Sequence, residues 1–226
     1  MPNFSQAGHA LDLRLNGLTL GAVQVLGAFD LSIARAETVA LTGPSGVGKT
    51  SLLRIIAGLE DRYDGNCHFA GRVAMVFQEP TLLPWRTLQD NLCIACNIRP
   101  ADAISALANV GLADRAQDFP NALSLGQQRR LSLARAFAIK PDLLLMDEPF
   151  VSLDPALVDD MMELFAKLRA AHTVTTILVT HVEAEAQRLA SRIVTLGGAP
   201  AQITRDIQNN GAYFQSSASG VTSSKS

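Results

Sequence analysis

Thr38-Val39-Ala40-Leu41-Thr42 runs without a break into Gly43-Pro44-Ser45-Gly46-Val47-Gly48-Lys49-Thr50, and then into Ser51-Leu52-Leu53-Arg54-Ile55-Ile56. The first five residues have the composition of a short buried strand. From Lys49 to Leu59 the apolar positions fall at helical spacing, with Gly58 as a stop signal. Between strand and helix, Gly43 to Thr50 fits G-x-x-x-x-G-K-[ST] at every fixed position. Glycines let the backbone curl until successive N–H groups point inward at phosphate oxygens, and the helix that follows adds the positive end of its dipole. Lys49 can reach the β- and γ-phosphates, and the Thr50 hydroxyl can ligate Mg²⁺. The strand, loop and helix therefore predict a nucleoside triphosphate site without specifying the reaction.

Working outward, Leu143-Leu144-Leu145-Met146 ends in Asp147-Glu148. An apolar run that ends in acids reads as a buried strand delivering carboxylates to the carboxyl edge of a sheet, where ligands sit in open α/β folds. Asp147 suits Mg²⁺, and Glu148 suits a general base that polarises the attacking water. Strand and helix patterns alternate around these two carriers. Short, partly alternating strands precede Ala36, and Arg72–Phe77 is a further strand. Gly126–Ile139, Pro155–Ala171 and Val182–Ala190 read as helices, Thr175–Thr180 and Arg192–Leu196 as strands. From Glu79 to Leu123 prolines punctuate helical stretches and no strand pattern intervenes. The predicted architecture is α/β, a P-loop NTPase: a mostly parallel sheet flanked by helices, with an N-terminal antiparallel β region and a helical subdomain. Residues 1–206 are expected to form the ATPase domain, with the helical part at about 79–123 extending into the next helix. Residues 207–226, polar and small, are expected to be a tail.

Composition narrows the class. The chain has 226 residues, 48% hydrophobic and 18% charged, with a net charge of −2. That balance provides for a core and argues against a nucleic-acid binder, which usually carries a basic surplus. Mean hydropathy is +0.17, yet no run approaches the ~20 apolar residues a membrane span needs. The N-terminus lacks a basic segment followed by an apolar core, so a cytoplasmic protein is expected, one that reaches a membrane only by docking on another chain. The cysteines are Cys67, Cys93 and Cys96, too few for a disulfide framework. Cys93 and Cys96 lack a second pair at metal-ligand spacing and read as small apolar residues on one side of a helix.

Leu123-Ser124-Leu125-Gly126-Gln127, leading into a helix that ends Leu133-Ala134-Arg135-Ala136, completes a series with the phosphate loop and Asp147-Glu148. In this order, from about Leu11 to Leu196, the series resembles the ATPase subunit of ABC transporters. The resemblance implies ATP as substrate, bound by Gly43, Pro44, Ser45, Gly46, Val47, Gly48, Lys49, Thr50 and Ser51. It implies that Gln78 is the glutamine touching Mg²⁺ and the attacking water. His181 would then be the switch histidine on the γ-phosphate, and Ser152-Leu153-Asp154 the D-loop. Mg²⁺ would be held by Thr50, Gln78 and Asp147. It further implies a head-to-tail homodimer in which Ser124, Gly126 and Gln127, the signature motif, face the partner's ATP. The start of a helix suits an anion, and one chain already has a complete phosphate cradle, so a second cradle makes sense for a second copy.

Two positions depart from the family pattern. Leu125 stands where the signature usually has glycine, and Leu20 stands where an aromatic residue usually stacks on adenine. Phe77-Gln78-Glu79-Pro80-Thr81-Leu82-Leu83-Pro84-Trp85-Arg86 is similar to importer ATPases serving nitrate, sulfonates and taurine. That similarity implies a separate integral membrane permease, a solute-binding protein acting indirectly, and a bacterial protein peripheral on the inner face of the cell membrane. Leu82, Leu83 and Trp85 either dock the permease or pack inside the helical part. An exporter or cell-division ATPase is the alternative, and its membrane partner would distinguish it. A chromosome-maintenance protein would need a coiled coil, and no heptad run is present.

Overall fold

A computed structural model describes residues 9–211 of the chain. The first elements are β1 (His9–Leu20), β2 (Val23–Leu26), β3 (Phe29–Ala34), β4 (Thr38–Thr42), α1 (Lys49–Ile56), β5 (Tyr63–Phe69) and β6 (Val73–Val76). Then come α2 (Leu88–Cys96), α3 (Pro100–Asn109), α4 (Leu125–Ala138), β7 (Leu143–Asp147) and α5 (Pro155–Ala171). β8 (Thr175–Val179), α6 (Glu183–Leu189), β9 (Arg192–Gly197) and β10 (Gln202–Gln208) complete the series. These elements divide into two compact units, residues 70–176 and the remainder on either side. Among the described residues no helix is long and apolar enough to cross a membrane.

In the unit made by both ends of the chain, β1 pairs antiparallel with β3 and β5, and its end forms a hairpin with β2. Leucines alternate along β1, and Leu11, Leu13, Leu15 and Leu18 are buried together with Leu31 and Ile33 of β3. β4 is apolar and almost wholly buried. It pairs parallel with β9, from Val39 opposite Arg192 to Thr42 opposite Thr195, and β9 pairs antiparallel with β10. Small residues let α6 lie close to this layer, where Ala186 and Ala190 pack with Ala40. α1 stops three residues earlier than the pattern predicts. Gly58, at φ 70°, lets its N–H turn back to the Ile55 carbonyl while Leu59 N–H reaches Arg54.

Two strands are additions to the predicted set. β5 (YDGNCHF) and β10 (QITRDIQ) are half-exposed strands whose polar residues hide the period of two. The boundary expected at residue 206 falls inside β10, which runs on to Gln208. Asn209 then donates to the carbonyls of Gln187 and Ala190 at 2.8 and 2.7 Å. Arg192 anchors the same strand through a two-pronged bond to Asp206 (2.7 and 2.6 Å) and reaches the Ser32 carbonyl. The rest of the expected tail, residues 212–226, lies outside the described residues.

In the other unit, β6 and β7 pair parallel, from Val73 opposite Leu143 to Val76 opposite Met146. All five residues of β7 are buried, as its unbroken apolar run requires. Four helices accompany them, and their starts follow the capping rules. Thr87 caps α2, Pro100 opens α3, Ser124 caps α4, and Asp154 with Pro155 opens α5. α4 packs against α2, α3 and α5. The helices of residues 79–123 thus belong to a larger unit that also takes in the two strands and α5.

Candidate functional site

The phosphate loop adopts a backbone that its glycines alone permit. Gly43, Gly46 and Gly48 have φ of 136°, 76° and 110°. A Cβ on Gly43 would lie 2.3 Å from the Leu196 carbonyl oxygen, and one on Gly48 would lie 2.7 Å from Leu26 Cδ2. Gly48 caps α1 with no side-chain hydrogen bond, and the first turn carries no acidic residue. The opening N–H groups of α1 therefore meet no carboxylate of their own turn, which suits an incoming anion. Lys49 is 5% exposed, and its Nζ donates to the carbonyls of Gly43 and Pro44 at 2.9 and 2.8 Å. These bonds fold the ammonium back over the loop. Thr50 is exposed at the same end of the helix.

His181 belongs to the same unit. Thr180 N–H donates to the Leu41 carbonyl at 3.2 Å, so the segment carrying His181 runs beside the strand that feeds the loop. Glu185 of α6 is buried and accepts from the Thr180 hydroxyl, which in turn accepts from Val182 N–H at 3.0 Å. His181 thus sits between two residues that are tied down, and it lines a cavity of about 490 Å³ with Thr42, Thr195 and Arg205. Leu20 lies at the end of β1 and is partly exposed, paired with Val23 across the hairpin.

In the other unit, Gln78 follows β6, and Asp147 with Glu148 ends β7, so parallel pairing sends all three off the same strand ends. Asp147 is buried. Glu148 has φ 45° and Ser152 φ 63°, left-handed values that L side chains seldom adopt and that gather at functional sites. A turn closes between them, Val151 N–H to the Glu148 carbonyl at 3.3 Å. Asp154 caps α5 through Leu157 N–H at 3.0 Å.

The signature residues hold one another. Ser124 Oγ accepts from Gln127 N–H (3.3 Å), while Gln127 Oε1 accepts from Ser124 N–H (3.0 Å) and from Arg115 (2.9 Å). Gly126 is buried against α5, and a Cβ there would lie 2.5 Å from Leu157 Cδ2. A side chain at this position would have to displace Leu157, a packing reason for glycine that the sequence did not disclose. Leu125 is 41% exposed beside it.

Trp85 is 69% exposed, whereas Leu82 and Leu83 are half-buried. The loop carrying them is braced by Asn91, fully buried on α2. Its side chain accepts from Leu83 N–H (2.8 Å) and donates to the carbonyls of Leu83, Arg86 and Thr87 (3.1, 3.2 and 2.9 Å). The three cysteines are half-buried thiols, and burial pushes Cys67 up to about 11 and raises Cys96. Among the described residues no cluster of three His, Cys, Asp or Glu gathers for a metal. Thr50 in one unit, and Asp147 and Gln78 in the other, each carry an oxygen donor of the hard kind that Mg²⁺ takes.

Sequence reasoning missed Arg129, Glu185 and Asn91. Arg129 stands next to Arg130 with no local sign of burial, and only the fold shows that it is 4% exposed.

Comparison with known proteins finds relatives that cover most of the chain. The aliphatic sulfonates import ATP-binding protein of Granulibacter bethesdensis is 44% identical over 178 residues, 78% of this chain and 75% of that protein. The protein of the same name from Mycobacterium sp. is 44% identical over 194 residues, 83% and 79% of the two chains. One from Pseudomonas syringae pv. syringae is 38% identical over 200 residues, 87% and 84%. An ATP-binding cassette solved as a dimer in a post-hydrolysis state with ADP and Pi superposes with a TM-score of 0.78. It is 27% identical and covers 89% of this chain and 99% of that one. The ABC transporter family matches residues 26–151, the stretch from β2 through the phosphate loop and α4 to the turn after Glu148. By that match and by these relatives, the chain is an ATPase and belongs to the ABC transporter ATP-binding family.

Proposed function

We propose that this ATPase drives import of small organic sulfonates through a separate membrane permease, working as a head-to-tail homodimer on the inner face of a bacterial cell membrane. The carrying observation is the phosphate loop, whose Gly43 and Gly48 leave no room for a side chain and whose lysine is drawn over its own carbonyls. The relatives named as sulfonate import ATPases support the direction of transport and the substrate class over the exporter alternative.

In this reading Gly43 to Ser51 bind ATP, with Lys49 on the phosphates. Thr50, Gln78 and Asp147 would hold Mg²⁺, which neutralises phosphate charge when bound. Glu148 accepts the proton of the attacking water, and its left-handed backbone fixes where the carboxylate leaves β7. His181, held by Thr180 and Val182 on either side, donates toward the γ-phosphate. Ser124, Gly126 and Gln127 face the partner's ATP, and Asp154 stands at the dimer contact. The loop with Trp85, braced by Asn91, meets the permease, and a solute-binding protein acts through that permease.

The test is growth on an alkanesulfonate as sole sulfur source in a strain deleted for the gene. The wild-type chain should restore growth and Lys49→Ala should not. Growth of the deletion strain without complementation would refute the sulfonate assignment.

A further inference from the structure

α4 carries Arg129, Ser132 and Arg135, each three residues after the last, so the three share one face of the helix. Each donates to a backbone carbonyl of the segment that leaves β6. Arg129 Nη1 reaches the carbonyls of Phe77 (3.4 Å) and Gln78. Ser132 Oγ reaches that of Pro80 at 3.0 Å, and Arg135 Nη1 that of Thr81 at 2.8 Å. Thr81 has φ 42°, a strained value that the Arg135 bond holds in place. Arg129 also turns its Nη2 to the Val151 carbonyl at 3.4 Å, one residue before Ser152-Leu153-Asp154.

Arg129 is an expensive way to secure a loop. It is 4% exposed, its Nε has no hydrogen-bond partner, and burial lowers its pKa. A buried cation satisfied by carbonyls is a poor source of stability compared with an apolar side chain of similar volume. What the guanidinium alone supplies is a planar fork that reaches two separate loops at once.

We propose that Arg129 is a positioning residue for ATP hydrolysis: its fork ties the carbonyls of Phe77 and Gln78 to that of Val151, so that Gln78 and the turn leading to Asp154 are set as one piece against the helix headed by Ser124. The inference rests on the assignment of Gln78 to the hydrolytic site. Ser132 and Arg135 extend the same grip along the segment. Arg129 touches no substrate and acts through Gln78.

The test compares the purified full chain with Arg129→Met, Arg129→Lys, Gln78→Ala and the double variant Arg129→Met/Gln78→Ala. Arg129→Met should lower kcat by about 10-fold to 100-fold, the cost of a displaced catalytic group, with affinity for a fluorescent ATP analogue within about twofold of wild type. Arg129→Lys, which keeps a cation but not the fork, should recover part of that loss. In the Gln78→Ala background the same Arg129 substitution should cost almost nothing more, because the group it positions is gone. An undiminished loss in that background would overturn the proposal. So would a parallel fall in kcat, affinity and melting temperature in both Arg129 variants, which marks a purely structural residue. Full turnover in Gln78→Ala alone would instead remove the Gln78 assignment itself, and the proposal with it.

Discussion

Gly126→Ala separates a packing requirement from a ligand requirement at the signature motif. The added methyl would sit 2.5, 3.0 and 3.2 Å from Cδ2, Cδ1 and Cγ of Leu157. Comfortable carbon contacts lie near 3.5–4.0 Å, so Leu157 or its helix must give way by roughly 1 Å. Overpacking of this kind costs about 1–3 kcal/mol, and replacing a helical glycine by alanine returns at most ~1 kcal/mol. Leu157 is half-buried and part of the strain can relax into solvent, so the net cost should fall near 1 kcal/mol. For a chain of this size that is a drop of about 2–4 °C in melting temperature. In a Leu157→Ala background the clash is gone and only the helix propensity remains. There the same substitution should turn neutral or stabilising by up to ~1 kcal/mol. Urea unfolding of the four proteins of this cycle gives the coupling directly. An equal destabilisation in both backgrounds would refute the packing account, because the cost would then not pass through Leu157.

Glu148→Gln should cut hydrolysis by about 10²–10⁴-fold and accumulate an ATP-bound dimer on size-exclusion chromatography; normal turnover would sink the general-base role. Asn91→Ala leaves the Leu83 N–H without its acceptor, at a cost of about 1–3 kcal/mol, and frees the loop of Trp85. Because Trp85 is the single tryptophan, its fluorescence anisotropy should fall in that variant, and an unchanged value would mean the loop is held elsewhere. Leu125→Gly should leave ATPase activity equal or higher, whereas a large loss would assign the exposed leucine a positive role. The Asp206 carboxyl is held below its ordinary value of 3.8 by the bond from Arg192. Its contribution to stability is present above the unfolded value and lost as pH falls through the lower folded one. Asp206→Asn should therefore lower stability at neutral pH and flatten the decline below about pH 4; an unchanged acid limb in a melting series would count against it.

The sequence showed most clearly those elements whose burial is complete. β4 and β7 have no exposed face, so their apolar runs admit one reading, and Ser124, Asp154 and Pro155 mark helix starts by local chemistry alone. β5 and β10 escaped because only alternate positions of β5, and only Ile203 and Ile207 of β10, are even half-buried, and residues such as Asp64, Asn66, Arg205 and Asp206 mask the pattern. Their pairing is decided by the neighbouring strand, and at Gly65 by close approach, where a Cβ would lie 2.2 Å from the Arg14 carbonyl oxygen. The phosphate loop was legible because its chemistry is contiguous in the chain. Arg129 was not, since its acceptors lie 22 to 52 residues away and no local pattern records them.

At the head of α4 the backbone, more than the side chains, is left to meet an anion. The side-chain oxygen atoms of Ser124 and Gln127 are engaged in the capping box, reinforced by Arg115. The box satisfies the N–H groups of Ser124 and Gln127, and Gln128 N–H already bonds to the Ser124 carbonyl. By helix geometry the N–H groups of Leu125 and Gly126 are then the ones left without an intrahelical acceptor. A phosphate at this end would meet those two donors and the helix dipole, which no side chain at position 125 removes. On this account leucine in place of glycine at 125 leaves both donors in place, while a larger residue at 126 would press on Leu157. In the proposed dimer the first turn of α4 thus acts on the partner's nucleotide through the main chain, with Ser124 and Gln127 keeping that turn in shape.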